Sequence, residues 1–128
     1  MIERISPPGA PAPRGPYSPA VRAGDFVFVA GQVPVDPITG AVISGDVQVE
    51  TRQVLTNIKN ILEACGASMA TVVRCGVYLI DAADFKSMNE IYAEFFGEAK
   101  PARTTIIVAA LPLKDAKVEI DAVAYVGS

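Results

Sequence analysis

Histidine is absent from the sequence. That removes the commonest general base near neutral pH and any zinc site built on imidazole. Cysteine is scarce: Cys65 and Cys75 are too few for a disulfide framework, and both sit in apolar stretches where a reduced, buried thiol is expected. Basic residues are outnumbered and scattered. Eleven Lys and Arg stand against fourteen Asp and Glu, giving a formal net charge of −3. A protein that tracks nucleic-acid phosphates needs a basic stripe, so nucleic acid is not expected as a partner. No apolar run approaches the roughly 20 residues of a membrane span. The opening residues, Met1 to Gly9, lack the charged-then-apolar order of a secretory signal. A cytoplasmic protein without membrane contact is the expectation.

Apolar residues are plentiful. They make up 51% of the 128 residues, against 20% charged. This suits a single domain spanning residues 1–128 with a real core. The apolar share is high for so short a chain, which has much surface per volume. Some of that surface is expected to be buried against another subunit.

Six prolines between residues 7 and 19 mark an extended, irregular segment packed over the domain. Asp25 to Ala30 is a β-rich run, ended by Gly31 and a turn at Asp36-Pro37-Ile38-Thr39-Gly40. Residues 46–65 carry the clearest helical period, with Val47, Val54, Leu55, Ile58, Ile61, Leu62 and Cys65 on one side. Arg52, Gln53, Asn57, Lys59, Asn60 and Glu63 fill the other; Asp46 is the expected N-cap and Gly66 the stop. Residues 71–80 read as a buried strand. A second helix is predicted over about 82–96, with Phe85, Met88, Tyr92, Phe95 and Phe96 as its stripe. Strands over about 102–110 and 117–126 follow. The order is strand, strand, helix, strand, helix, strand, strand, with room for a further strand at residues 2–6. Two helices cannot cover both faces of a five- or six-stranded sheet, so they should share one face in an α+β layer. The other face is partly apolar, which favours subunit contact.

Four polar residues stand where a core would not place them. Arg103 opens a strand among small residues, sharing a side with Thr105, Ile107 and Ala109. Its guanidinium could hold a carboxylate through two parallel hydrogen bonds, or simply be solvated. Glu119 lies with Asp121, Val123 and Tyr125 opposite the apolar face of the last strand. Beside Arg103 it could activate a water; alone it is an exposed carboxylate. Asn89 falls inside an apolar helical stripe, where it either caps a strand or lines a pocket. Tyr17 sits between two prolines, as a pocket wall or as packing. Gly31 signals close backbone approach or a strand end.

Together these residues resemble a known family. Gly15-Pro16-Tyr17-Ser18-Pro19-Ala20, Ala30-Gly31-Gln32-Val33-Pro34 and Pro101-Ala102-Arg103-Thr104 are similar to three signature blocks of the Rid family, the YjgF/YER057c/UK114 group. Asp84-Phe85 with Asn89, Tyr92, Phe95 and Phe96 resembles its second helix, and Val118 to Ala124 its last strand. The similarity runs from about residue 15 to 126. The resemblance implies a chorismate-mutase-like α+β fold: a mixed sheet of five to six strands with two helices on one face. It implies a homotrimer with sheets inward and ligand clefts between subunits. Arg103 and Glu119 would come from one chain, and Tyr17, Gly31 and Asn89 from its neighbour. The implied activity is hydrolysis of 2-imino acids such as 2-iminobutanoate and 2-iminopropanoate to 2-keto acids and ammonia, with no metal or cofactor. Arg103 would grip the substrate carboxylate and Glu119 would activate the water. Backbone groups of Gly31 and Thr105 would bond the substrate, Tyr17 would pack over it, and Asn89 would shape the cleft. Two positions depart from the pattern. Ala30 stands where several active members carry serine, and Thr105 where some carry cysteine. The alternative is a non-catalytic member that binds small carboxylates.

Overall fold

A computed structural model describes every residue except Ser128. The Asp46 carboxylate accepts a hydrogen bond from the Val49 N–H at 3.0 Å and so starts helix α1 (Val47–Ala64). The chain leaves α1 through Cys65 and Gly66, whose φ of +81° suits glycine. The predicted apolar stripe is buried from Val47 to Leu62, while Cys65 is only half-buried. One expectation fails here. Asn57, placed on the polar side, is buried, because its amide donates to the Val35 carbonyl at 2.9 Å and reaches that of Val33 at 3.5 Å. A loop packs over that side of the helix. Glu50 is buried too, as the acceptor of the Lys117 N–H at 2.7 Å.

The second helix is shorter than predicted. Residues Ala82–Asp84 form a tight turn, capped by the Asp81 carboxylate on the Ala83 N–H at 2.9 Å. The α-helix proper, α2, runs Phe85–Phe96 and stops at Gly97, where φ is +52°. Met88, Ile91, Tyr92 and Phe96 are buried, but Phe85 is 44% exposed.

Six strands form one sheet: β1 (Ile2–Ile5), β2 (Ala20–Ala23), β3 (Phe26–Gln32), β4 (Val72–Leu79), β5 (Ala102–Ile107) and β6 (Val118–Tyr125). Their spatial order is β1-β2-β3-β6-β4-β5. Only β4 and β5 are parallel, with α2 as their crossover; every other pair is antiparallel. β5 ends at Ile107, short of the predicted residue 110. After the Val108 N–H bonds Leu79 at 2.8 Å, the chain turns into the loop around Pro112.

Both helices lie on one face. Val27, Val29, Cys75, Val77, Leu79, Val118, Ile120, Ala122 and Ala124 point toward them and are buried. Each large aliphatic chain so covered contributes about 1.5–3 kcal/mol. The architecture is therefore the expected α+β mixed sheet with helices on one side. The other face is not covered by this chain: Phe28 is 47% and Ile106 44% exposed, and Phe26 meets only the edge of Tyr125, 5.5 Å between centroids. Among the described residues no helix is long and apolar enough to cross a membrane.

Candidate active site

The proline-rich segment does not float free. The Ala30 N–H donates to Pro19 at 2.9 Å, docking the segment onto β3, and the Tyr17 N–H turns back onto Gly15 at 2.9 Å. Tyr17 is thereby held over the end of β3. The pairing of β3 with β6 shifts register between Val29 and Gln32, so Ala30 and Gly31 bulge beside Glu119. Gly31 matters for space rather than backbone angle. A Cβ there would overlap the Glu119 carboxylate, so only glycine lets that carboxylate lie across the strand.

These residues surround a cleft of about 420 Å³, within the range of small-molecule sites. Tyr17, Ala30, Gly31 and Glu119 line it, as the sequence suggested. Sequence reading missed four others: Arg14, Val33, Pro112 and Leu113. They come from loops, where no periodicity marks a side chain as facing inward. Asn57 and Glu50 fix this rim from behind. Asn57 holds the loop of Val33, and Glu50 holds Lys117 at the start of β6 through its N–H and its ammonium at 3.3 Å. Burial pushes the Glu119 carboxyl above its ordinary range, and the Asp121 charge two residues on adds to this. Asp121 itself is held by the Gly76 N–H at 2.8 Å and the Tyr78 hydroxyl at 2.9 Å, with Arg74 at 3.7 Å.

Arg103 is elsewhere. In the parallel β4–β5 register it stands opposite Cys75, and Thr105 opposite Val77, both on the helix-covered face. Glu119 stands opposite Tyr78, on the uncovered face. The two groups therefore lie on opposite sides of one sheet. The expectation that one chain supplies both to a shared water is wrong, and so is the implied division of residues. Tyr17, Ala30 and Gly31 group with Glu119; Asn89 groups with Arg103. Alternation along each strand gave the correct two sets of residues, but not which face of β5 matches which face of β6.

The Arg103 guanidinium lies 4.7 Å from the Tyr92 ring centre and 5.6 Å from that of Phe85. Stacking on two rings fixes its plane and lowers its hydration. Among the described residues it makes no ion pair. Beside it, the Asn89 side-chain oxygen is buried with no hydrogen-bond partner among the described residues, and the buried Tyr92 hydroxyl lies close to the Cys75 thiol and the Arg103 guanidinium. A buried polar atom normally finds a partner in protein, water or a ligand. Burial raises the Tyr92 hydroxyl far above its ordinary value and lifts the Cys75 thiol to about 11, so both stay protonated at neutral pH. The arrangement sets a planar cation beside a neutral hydroxyl and an amide at the sheet edge formed by β5.

Comparison with known proteins places the chain in a family. Residues 8–126 match the family model described as Endoribonuclease L-PSP. A RutC family protein of Pyrococcus horikoshii is 55% identical over 98% of both chains. A protein of Dermatophagoides farinae named 2-iminobutanoate/2-iminopropanoate deaminase is 40% identical, over 95% of this chain and 94% of its own. Among solved structures, E. coli TdcF with bound serine superposes with a TM-score of 0.89 at 41% identity, covering 96% of this chain and 98% of its own. With the matched model spanning nearly all of the described fold, the chain belongs to the Endoribonuclease L-PSP family, the same family as the Rid proteins it resembles.

Proposed function

We propose that the protein hydrolyses 2-imino acids to 2-keto acids and ammonia in a cleft completed between neighbouring protomers of a homotrimer. One observation carries this reading. An uncommitted guanidinium and an acid with a raised pKa, each in its own half-site, lie on opposite faces of one sheet. A small substrate cannot touch both within one chain. The edge of a second copy, presenting its Arg103 half, can meet the Glu119 half of the first. The apolar uncovered face supports such an assembly. The name of the Dermatophagoides relative and the serine bound to TdcF support a small amino-acid-like substrate.

In this reading Arg103 binds the substrate carboxylate with its two-pronged fork. Asn89 and Tyr92 supply polar contacts beside it. The Glu119 carboxylate accepts a proton from a water, whose oxygen bonds to the imine carbon while the C=N electrons move to nitrogen. Glu119 passes that proton to the nitrogen and then takes the hydroxyl proton as the adduct collapses: C=O forms, C–N breaks, ammonia leaves, and for a protonated imine the last proton goes to solvent. A carboxyl with a raised pKa is a stronger base than an ordinary one, which suits the task. Tyr17 covers the substrate.

The test couples a threonine dehydratase to detection of 2-ketobutanoate, above the spontaneous rate. Arg103→Ala should lose about a hundredfold in kcat/KM, and Glu119→Gln about 10²–10⁴-fold in kcat. Equal rates for wild type and Arg103→Ala would refute the reading. Tight 2-ketobutanoate binding with no acceleration by the wild-type protein would make it a binding module instead.

A further inference from the structure

A second arginine lines the cleft, and the reaction just described leaves it without a role. Arg14 sits in the proline-rich segment. Its backbone N–H donates to the Tyr17 hydroxyl at 3.2 Å, which ties the residue to the ring that closes the site. Arg14 lines both the Glu119 cleft and the narrow recess beside it, next to Gly31 and Val33. One guanidinium nitrogen reaches the Gly40 carbonyl at 3.4 Å, a long bond. Most of its five N–H donors stay free. Among the described residues Arg14 makes no ion pair.

We infer that Arg14 makes the cleft selective for 2-imino acids carrying a second anionic group, a carboxylate at the far end of the side chain. This rests on the imine-deaminase reading above. The argument is one of charge and placement. Arg103 is committed to the carboxylate next to the imine. Among the described residues Glu119 is the only acid lining the cleft, and it repels any further anion, so a second carboxylate needs a cation in the same space. Arg14 is that cation. Of the other walls, Tyr17 offers a neutral hydroxyl, and Ala30, Val33, Pro112 and Leu113 are apolar with no side-chain donor. The hydrolysis is unchanged: oxygen from water replaces the imine nitrogen, ammonia leaves, and both carboxylates pass through intact.

The experiment compares 2-iminoglutarate, made in place by an L-glutamate oxidase with catalase, against 2-iminobutanoate made from 2-aminobutanoate by an L-amino-acid oxidase. The readout is the ratio of kcat/KM values, dicarboxylic over monocarboxylic. Calorimetric affinities for 2-oxoglutarate and 2-oxobutanoate give a parallel ratio that needs no turnover. Wild type should favour the dicarboxylic member by roughly tenfold or more, the scale of one hydrogen bond to a charged group. Arg14→Ala should bring both ratios near one, Arg14→Glu below one, and Arg14→Lys should keep part of the preference. A wild-type ratio near one, or a preference that Arg14→Ala leaves intact, overturns the inference while deamination stands. A binding preference that depends on Arg14, with neither imine hydrolysed above background, keeps the selectivity and removes the deaminase reading.

Discussion

Gly31 and Glu119 constrain each other: the acid can lie across the strand only because the glycine has no side chain to oppose it. Asp121 is the second influence on that acid, through charge rather than contact. Glu119 must be ionised to accept a proton from water. Turnover should therefore fall as pH drops through its raised pKa. Asp121→Asn removes the like charge and should move this acid limb to lower pH, read from kcat/KM against pH; an unmoved limb would show that Asp121 does not act on Glu119. At this scale the sequence was informative. Arg103, Glu119, Asn89 and Tyr17 each looked out of place for a core, and each lies in one of the two half-sites. Arg14 was not legible, because a lone arginine among prolines in a loop has no period to break.

Two buried polar side chains of α1 hold the elements around the cleft. Asn57 fastens the loop after β3, and Glu50 fastens the start of β6. Glu50→Ala would leave the part-buried Lys117 N–H without its partner and should cost about 1–3 kcal/mol in urea unfolding. Glu50→Gln, which keeps an acceptor, should cost less; equal losses would argue against the hydrogen bond as the cause. Helix periodicity located α1 to within a residue at each end, since Asp46 and Gly66 punctuate it. The same periodicity misjudged Asn57, because a loop rather than the sheet covers that side. The short β2 has no pattern of its own; Ala20–Ala23 is defined by pairing with β1 and β3. α2 started late because Asp81 caps a turn before the helix proper.

For the whole molecule, the decisive fact is that the sheet separates the two half-sites. Its layering was legible, since two helices and six strands leave one face bare. The facing of β5 was not, because it depends on how a parallel edge strand registers with β4. On the proposed function the chain needs a copy of itself to act on a small molecule, and subunit mixing tests that most directly. Arg103→Ala and Glu119→Gln assemblies, each inactive alone, are dissociated, combined in equal amounts and reassembled, with native mass spectrometry confirming mixed oligomers. If each site takes Arg103 from one protomer and Glu119 from the next, random mixing restores activity to roughly a quarter of wild type, since two independent even chances must coincide at each interface. Mixed oligomers that stay as inactive as either parent would contradict the account, because both residues would then have to come from the same chain.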